Sequence, residues 1–226
     1  MEKKIVIALD GWSSCGKSTL AKQLAKELGY VFVDSGAMYR AITLYFIRHQ
    51  VDIKDLHAVV SALNHIKLVF VFNQVRGASD IYLNGENVET FIRELSVAQK
   101  VSEVAAIKEV RHFAVLQQQK MGEKKGIVMD GRDIGTVVFP NAELKIFMTA
   151  DNDVRAQRRF KELIAKDPSI TIEEVKKNLE SRDYIDSHRE ESPLVQAEDA
   201  RVLDNTELSP EQQFQLALSW AKALIN

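Results

Sequence analysis

Gly11-Trp12-Ser13-Ser14-Cys15-Gly16-Lys17-Ser18-Thr19 sets two glycines five residues apart and follows the second with a lysine and two hydroxyl residues. That order suits a phosphate chain. Glycines at both ends let the backbone curl round phosphate oxygens with no Cβ in the way, successive N–H groups and a helix start supply donors, and Lys17 adds a mobile positive charge. A hydroxyl directly after the lysine, here Ser18, is placed to reach Mg²⁺. The stretch from Gly11 to Thr19 is therefore expected to bind the phosphates of a nucleotide, with Lys17 reaching them as a positive charge. Cys15 lies where a helix N-terminus can lower a thiol's pKa. A small side chain turned away from the phosphates is the preferred reading of it.

A phosphate loop alone does not separate an ATPase, a GTPase and a kinase, so a second substrate has to be sought elsewhere. Seven of the twelve arginines fall between positions 111 and 189, in a chain with eighteen lysines. Repeated choice of arginine suggests planar, bidentate recognition of phosphate. Arg155, Arg158 and Arg159, spaced i, i+3, i+4, share one helix face and could clamp transferring phosphates. A solvated face paired with Asp151, Asp153 and Glu162 is the plainer alternative. Arg182, Asp186 and Arg189, spaced i, i+4, i+7, fall within about 60° of one another on a helix. An acceptor between two cations suits a ribose hydroxyl flanked by phosphate, and an intrahelical salt-bridge ladder is the alternative. Asp130-Gly131-Arg132-Asp133 closes an apolar run. Asp130 is placed there to orient Mg²⁺ through its water shell, and the Arg132–Asp133 pair to hold a substrate; a purely structural turn is the other reading.

These groups need a scaffold whose loops meet at one sheet edge. Ile5 to Leu9 reads as a strand, and Lys17 to Leu28 as an amphipathic helix ended by Gly29. Val31 to Val33 reads as a strand, Met38 to His49 and Leu56 to Leu63 as helices. Ile66 to Phe72, Asp80 to Leu83 and Glu86 to Val88, with turn signals at Arg76-Gly77 and Asn84-Gly85, suggest an inserted antiparallel meander. Helical patterning returns from Ser96 to about Lys120. Buried strands follow at Gly126 to Asp130 and Leu144 to Met148, then helices at Val154 to Lys166 and Ile172 to His188, a strand at Arg201 to Leu203 and a helix from Pro210 to Ile225. Such alternation argues for an α/β fold with a doubly wound parallel sheet, whose ligands bind at the carboxyl ends of the strands.

Composition narrows the partners. The chain has 226 residues, 46% apolar and 27% charged, and a formal net charge of −2, so no strong overall field draws it to nucleic acid or anionic membrane. The apolar run from Ile5 to Leu9 is too short for a signal-peptide core. One cysteine allows neither an internal disulfide nor a zinc cluster, which fits a reducing, cytoplasmic setting.

Taken in order, the phosphate loop, Asp34-Ser35-Gly36-Ala37-Met38-Tyr39-Arg40, Asp130-Gly-Arg-Asp-Ile-Gly-Thr-Val-Val-Phe-Pro140, Arg155-Ala-Gln-Arg-Arg159 and Arg182-Asp-Tyr-Ile-Asp186-Ser-His-Arg189 resemble the bacterial cytidylate kinase family of P-loop nucleoside monophosphate kinases. The resemblance covers nearly the whole chain. It implies a P-loop NTPase-type sheet of about five strands forming a core over 1–62 and 108–226, a helical lid at about 150–168, and an inserted CMP-binding region at 63–107. It also implies that Ser35, Ser102, Arg111 and Asp133 contact cytosine, that Arg40, Arg132 and Arg189 hold the CMP phosphate, and that Arg182 and Asp186 contact the ribose. Arg155, Arg158 and Arg159 match lid arginines that close over the phosphates. The expected substrates are ATP and CMP or dCMP, with Mg²⁺ as cofactor, in a monomer. The interior of the loop departs from the family's usual GPxGxGK[GS]T at Trp12, Ser14 and Cys15, which leaves nucleotide preference open.

Ser102 and Arg111 are nine residues apart and would fall on opposite faces of one unbroken helix. If both reach the base, the helix must bend or break near Ala106-Ile107. A kinase for UMP, AMP or shikimate, or a GTP-dependent switch, are the competing readings; the lack of an N/T-K-x-D segment weighs against the switch.

Overall fold

The computed structural model describes residues 3–75, 78–165 and 167–225. Its strands and helices are β1 (Val6–Gly11), α1 (Lys17–Leu28), β2 (Val31–Asp34), α2 (Ser35–Arg48), α3 (Leu56–Asn64), β3 (Leu68–Asn73), β4 (Ala78–Leu83), β5 (Glu86–Asn87) and α4 (Leu95–Ala106). They continue with α5 (Lys108–Gly122), β6 (Ile127–Asp130), β7 (Leu144–Thr149), α6 (Asn152–Ile164), α7 (Ile172–His188), β8 (Arg201–Asp204) and α8 (Pro210–Ile225). Five strands make a parallel sheet in the order β2-β6-β1-β7-β8. The chain runs from β1 to the β2 edge, returns through β6 and then crosses β1 to β7 and β8 on the other side, so the crevice at the carboxyl end of β1 is where a ligand fits.

Alternation along β1 explains the layers. Ile7 and Leu9 pack with Leu20, Leu24, Ala217 and Leu218 of α1 and α8, while Val6 and Ala8 face Met129, Ile134 and Val138 on the opposite side. A strand buried on both faces reads as the continuous apolar run seen here. Strands β3, β4 and β5 form a separate antiparallel sheet, whose Leu68, Ile81 and Leu83 join α2, α3, α4 and α5 in one core. The expected turn at Arg76-Gly77 and the helix end at Lys166 lie outside the described residues. A small cluster of Ala156, Val175 and Leu179 holds α6 against α7.

Three elements differ from the sequence pattern. Helix α2 begins at Ser35 rather than Met38, because the Asp34 carboxylate caps it by accepting from the Ala37 N–H at 2.9 Å. The long helix expected from Ser96 to Lys120 is two helices broken at Ile107, where ψ is 125°. A break near Ala106-Ile107 is the one expected if Ser102 and Arg111 both reach the base. A π-helical turn over Ile134–Val138 follows β6, with no counterpart in the sequence pattern. Among the described residues, no helix is long and apolar enough to cross a membrane.

Candidate active site

The phosphate loop leaves β1 at a point that admits only glycine. A Cβ on Gly11 would fall 2.0 Å from the Met148 carbonyl oxygen, and φ there is +144°. At the other end, Gly16 is the N-cap of α1 and contributes no side-chain cap, which leaves the first N–H groups of the helix as donors for an anion. Lys17 is buried and arches back, its Nζ donating to the Gly11 and Trp12 carbonyls at 2.9 and 2.6 Å. Burial, then the nearby Arg132 guanidinium, lower its pKa to about 8.

A cleft of about 1060 Å³ runs from this loop across the carboxyl end of the sheet to α4 and α7. Ser13, Ser14, Gly16, Lys17, Ser18 and Thr19 line it from the loop side. Trp12 and Cys15 instead pack into the core beneath α1, with Cys15 fully buried and its Sγ donating to the Trp12 carbonyl at 3.0 Å. The thiol thus points away from the phosphate side.

Opposite Lys17, the Ser18 hydroxyl donates to Asp130 Oδ2 at 2.7 Å. The other carboxylate oxygen of Asp130 is buried and accepts no hydrogen bond among the described residues. Burial, then the Asp34 charge, raise this carboxyl to about 6. A desolvated carboxylate with a spare oxygen beside a hydroxyl is the donor set a hard cation takes, so these residues fit Mg²⁺. Gly131, next along, has no room for a side chain: a Cβ would meet Ser35 Oγ at 2.5 Å. The Ser35 hydroxyl is itself spent on the Asp130 carbonyl at 2.6 Å.

At the far wall the Arg111 guanidinium donates to the Asp133 carboxylate and, at 3.1 Å, to the Ala105 carbonyl. Tyr39 lies with its ring 5.3 Å from the same guanidinium. Arg189 reaches within 3.9 Å of Asp133 and 3.8 Å of Asp186 and donates to the Ser192 carbonyl at 2.9 and 2.6 Å. Burial, then Arg111, lower the Arg189 pKa. Ser102, buried on α4, opens onto the same cavity.

Between the two ends stand Arg40, Arg132, Arg182 and Asp186. Arg40 pairs with Asp34 at 2.8 Å, and against the cost of burial Arg40 and Arg93 keep the Asp34 carboxyl below its ordinary value. Arg132 donates through Nε to Asp186 at 2.8 Å and through Nη2 to the Ser13 hydroxyl at 2.9 Å. Burial opposes ionisation of Asp186, yet Arg132 and Arg189 hold its carboxyl below the usual range. Arg182 has no ion-pair partner among the described residues, and its Nε is buried without a hydrogen bond. Burial, then Arg132, lower its pKa to about 10. A half-buried cation facing the cleft, with only the Asp186 charge to offset the repulsion of Arg132, is suited to an anion.

The helix spacing of Arg155, Arg158 and Arg159 does put them on one stretch of α6, but their guanidiniums diverge. Arg155 is buried against Asp183, Asn152 and the Ser13 carbonyl. Arg158 donates to the Asn205 side chain and carbonyl, each at 3.0 Å. Only Arg159 lines the cleft, paired with Glu162 at 3.0 Å. The spacing fixes where side chains leave a helix, while the acceptors that capture their ends come from elsewhere in the fold.

Several site residues escaped the sequence reading. Asp183 accepts from the Ser13 N–H at 3.3 Å. Buried Asn205 donates to the Cys15 carbonyl at 2.8 Å and to Gln213 Oε1 at 2.6 Å, tying loop to α8. Asp10 accepts from the Ile134 and Gly135 N–H groups at 2.8 and 2.7 Å, and burial pushes its carboxyl up to about 7. Asp34, Tyr39 and Arg93 also line the cavity. Asp34 and Tyr39 sit inside the quoted Asp34-to-Arg40 segment and Asp183 inside the quoted Arg182-to-Arg189 one, which were usable signals; Asp10 and Asn205 carry none. Donor groups for anions at both ends of one cleft, with a hydroxyl–carboxylate pair that fits a cation beside the loop, suit phosphoryl transfer.

A model of the cytidylate kinase family matches residues 7–222. A cytidylate kinase of Flavobacterium psychrophilum is 57% identical over 219 residues, covering 96% of this chain and 97% of the relative. That of Flavobacterium johnsoniae is 58% identical, covering 96% and 95%. Among solved structures, a shikimate kinase from Bacteroides thetaiotaomicron is 13% identical with a TM-score of 0.50 and covers 98% of each chain, a likeness of fold alone.

Proposed function

The chain belongs to the cytidylate kinase family, and on that premise we propose that its cleft transfers the ATP γ-phosphoryl group to CMP or dCMP, giving the diphosphate and ADP. The observation that carries the site assignment is the continuity of one cavity from the phosphate loop to the Arg111–Asp133 pair. One end presents amides and Lys17 to a triphosphate; the other presents a buried ion pair to a polar base.

In this reading Gly11 to Thr19 bind the ATP phosphates, and Lys17 leaves its two carbonyls for the phosphate oxygens. Mg²⁺, held by Ser18 and through water by Asp130, would supply charge neutralisation. Arg40, Arg132 and Arg189 hold the CMP phosphate, and Arg182 with Asp186 the ribose edge beside it. Ser35, Ser102, Arg111 and Asp133 face the cytosine. An acceptor phosphate is already anionic and needs no dedicated base, so catalysis is positioning plus charge stabilisation by Lys17, Arg132, Arg155, Arg158 and Arg159. Residues 150–168 act as the lid that excludes water, and 63–107 as the acceptor-binding insert. Arg155 and Arg158 reach the phosphates only by exchanging their present partners, which makes lid closure a swap of hydrogen-bond partners. The reading includes a cytoplasmic monomer: both substrate sites are built from one chain, and the single cysteine is buried and unpaired.

A coupled assay with Mg·ATP tests the proposal by recording ADP formation with and without CMP. CMP-dependent ADP production is expected, fastest with CMP or dCMP. No response to CMP, or higher initial rates with AMP or UMP, would overturn the substrate assignment.

A further inference from the structure

Ser13 is bound at all three of its polar positions by different parts of the chain. Its N–H donates to Asp183 of α7 at 3.3 Å, its carbonyl accepts from Arg155 of α6 at 3.1 Å, and its hydroxyl accepts from Arg132 at 2.9 Å. Buried to 4% exposure, it is the meeting point of the loop, the lid helix and the turn after β6. Arg132 in turn has an acceptor at each nitrogen of its guanidinium, Asp186 Oδ2 on Nε, Ser13 Oγ on Nη2 and, at 3.1 Å, the Gly131 carbonyl on Nη1. Fixing a planar guanidinium from two edges sets both its position and its plane. Remove the hydroxyl and Nη2 loses its acceptor, so only the Asp186 and Gly131 contacts hold the group.

We infer that Ser13 is a positioning residue for the acceptor: its hydroxyl holds Arg132 in the plane that meets the CMP phosphate, so a residue of the donor loop tunes the other substrate's site. The inference rests on the assignment of Arg132 to the CMP phosphate. Backbone groups, not the hydroxyl, make the loop's phosphate cradle. Loss of the hydroxyl therefore falls on CMP and leaves ATP binding intact.

The test uses full-length Ser13→Ala, Ser13→Thr, Arg132→Met and the Ser13→Ala/Arg132→Met double variant, reading kcat, KM for CMP, and ATP affinity by titration without CMP. Ser13→Ala is expected to raise KM for CMP about ten-fold, the loss of one hydrogen bond to a charged group, with ATP affinity within about two-fold of wild type. Ser13→Thr restores the hydroxyl and wild-type values. In the Arg132→Met background the alanine change adds less than about two-fold, since its effect runs through the missing guanidinium. Unchanged KM for CMP in Ser13→Ala, an equal loss of ATP affinity, or a full additive effect in the double variant would each overturn the inference. If Arg132→Met itself leaves KM for CMP unchanged, the acceptor-site assignment fails, and the inference falls with it for that separate, identifiable reason.

Discussion

Arg111 and Asp133 form an ion pair whose side chains are 1% and 4% exposed, joining α5 to the turn after β6. Neither charge has water to fall back on. Arg111→Met strands the Asp133 carboxylate with only the more distant Arg189 near it, and a broken buried pair costs about 3–5 kcal/mol. Asp133→Asn keeps an oxygen to accept from Arg111 and should cost less. Urea unfolding measures both, and a loss under about 1 kcal/mol for Arg111→Met would contradict the pair's place in the folded core.

Arg182 is the reverse case, a half-buried cation with no ion pair among the described residues, under repulsion from Arg132 that Asp186 offsets only in part. Replacing it should therefore relieve the ligand-free protein while harming the loaded one. Arg182→Gln is expected to keep or raise Tm by about 1–4 °C and to raise KM for CMP about ten-fold or more, the worth of one charged contact. A fall in Tm with no change in KM would mean that the guanidinium serves the fold rather than the substrate.

The Asp10 carboxyl, pushed up to about 7 from its ordinary 3.8 by burial, makes stability pH-dependent. Between those values the folded protein holds a proton on Asp10 that the unfolded chain has released. The folded state then binds more protons, so the group's contribution is full below about pH 4 and is lost as pH rises toward 7. Asp10→Asn has nothing to titrate. Unfolding free energies taken from about pH 4.5 to about pH 7.5 should decline more steeply in wild type than in Asp10→Asn, by the linkage relation; parallel profiles would refute the shift.

How far the sequence foretold this site depends on whether local or distant groups fix each part. The loop between β1 and α1 was legible because glycine spacing, strand alternation and helix periodicity all lie within a short stretch. The break at Ile107 was legible from helix phase together with the resemblance, which puts both Ser102 and Arg111 at the base although they cannot share a face of one helix. Asp34 was overlooked as a cap, although an acidic residue just before Ser35 is an ordinary helix start. The π-helical turn over Ile134–Val138 was out of reach: its first N–H groups are held by Asp10, 124 and 125 residues away. So was the divergence of Arg155, Arg158 and Arg159, because Asp183 and Asn205 decide where those guanidiniums go.

Ser18 and Asp130 already touch across the cleft at 2.7 Å, and Asp130 has a second, unused oxygen. Asp130→Asn preserves the shape and an acceptor for the hydroxyl, and removes the charge that would orient a divalent cation through its water shell. If Asp130 serves Mg²⁺, the variant should need several-fold more Mg²⁺ for half-maximal activity, and kcat should fall about ten- to a hundred-fold, in the range of lost outer-shell metal partners. Stability should move the other way, because a carboxyl raised to about 6 by burial is an unfavourable charge in the ligand-free protein at neutral pH. A Mg²⁺ titration at saturating ATP and CMP, with a parallel melt, reads both. Reduced activity with an unchanged Mg²⁺ midpoint would assign Asp130 to the Ser18–Ser35 scaffold instead of the metal.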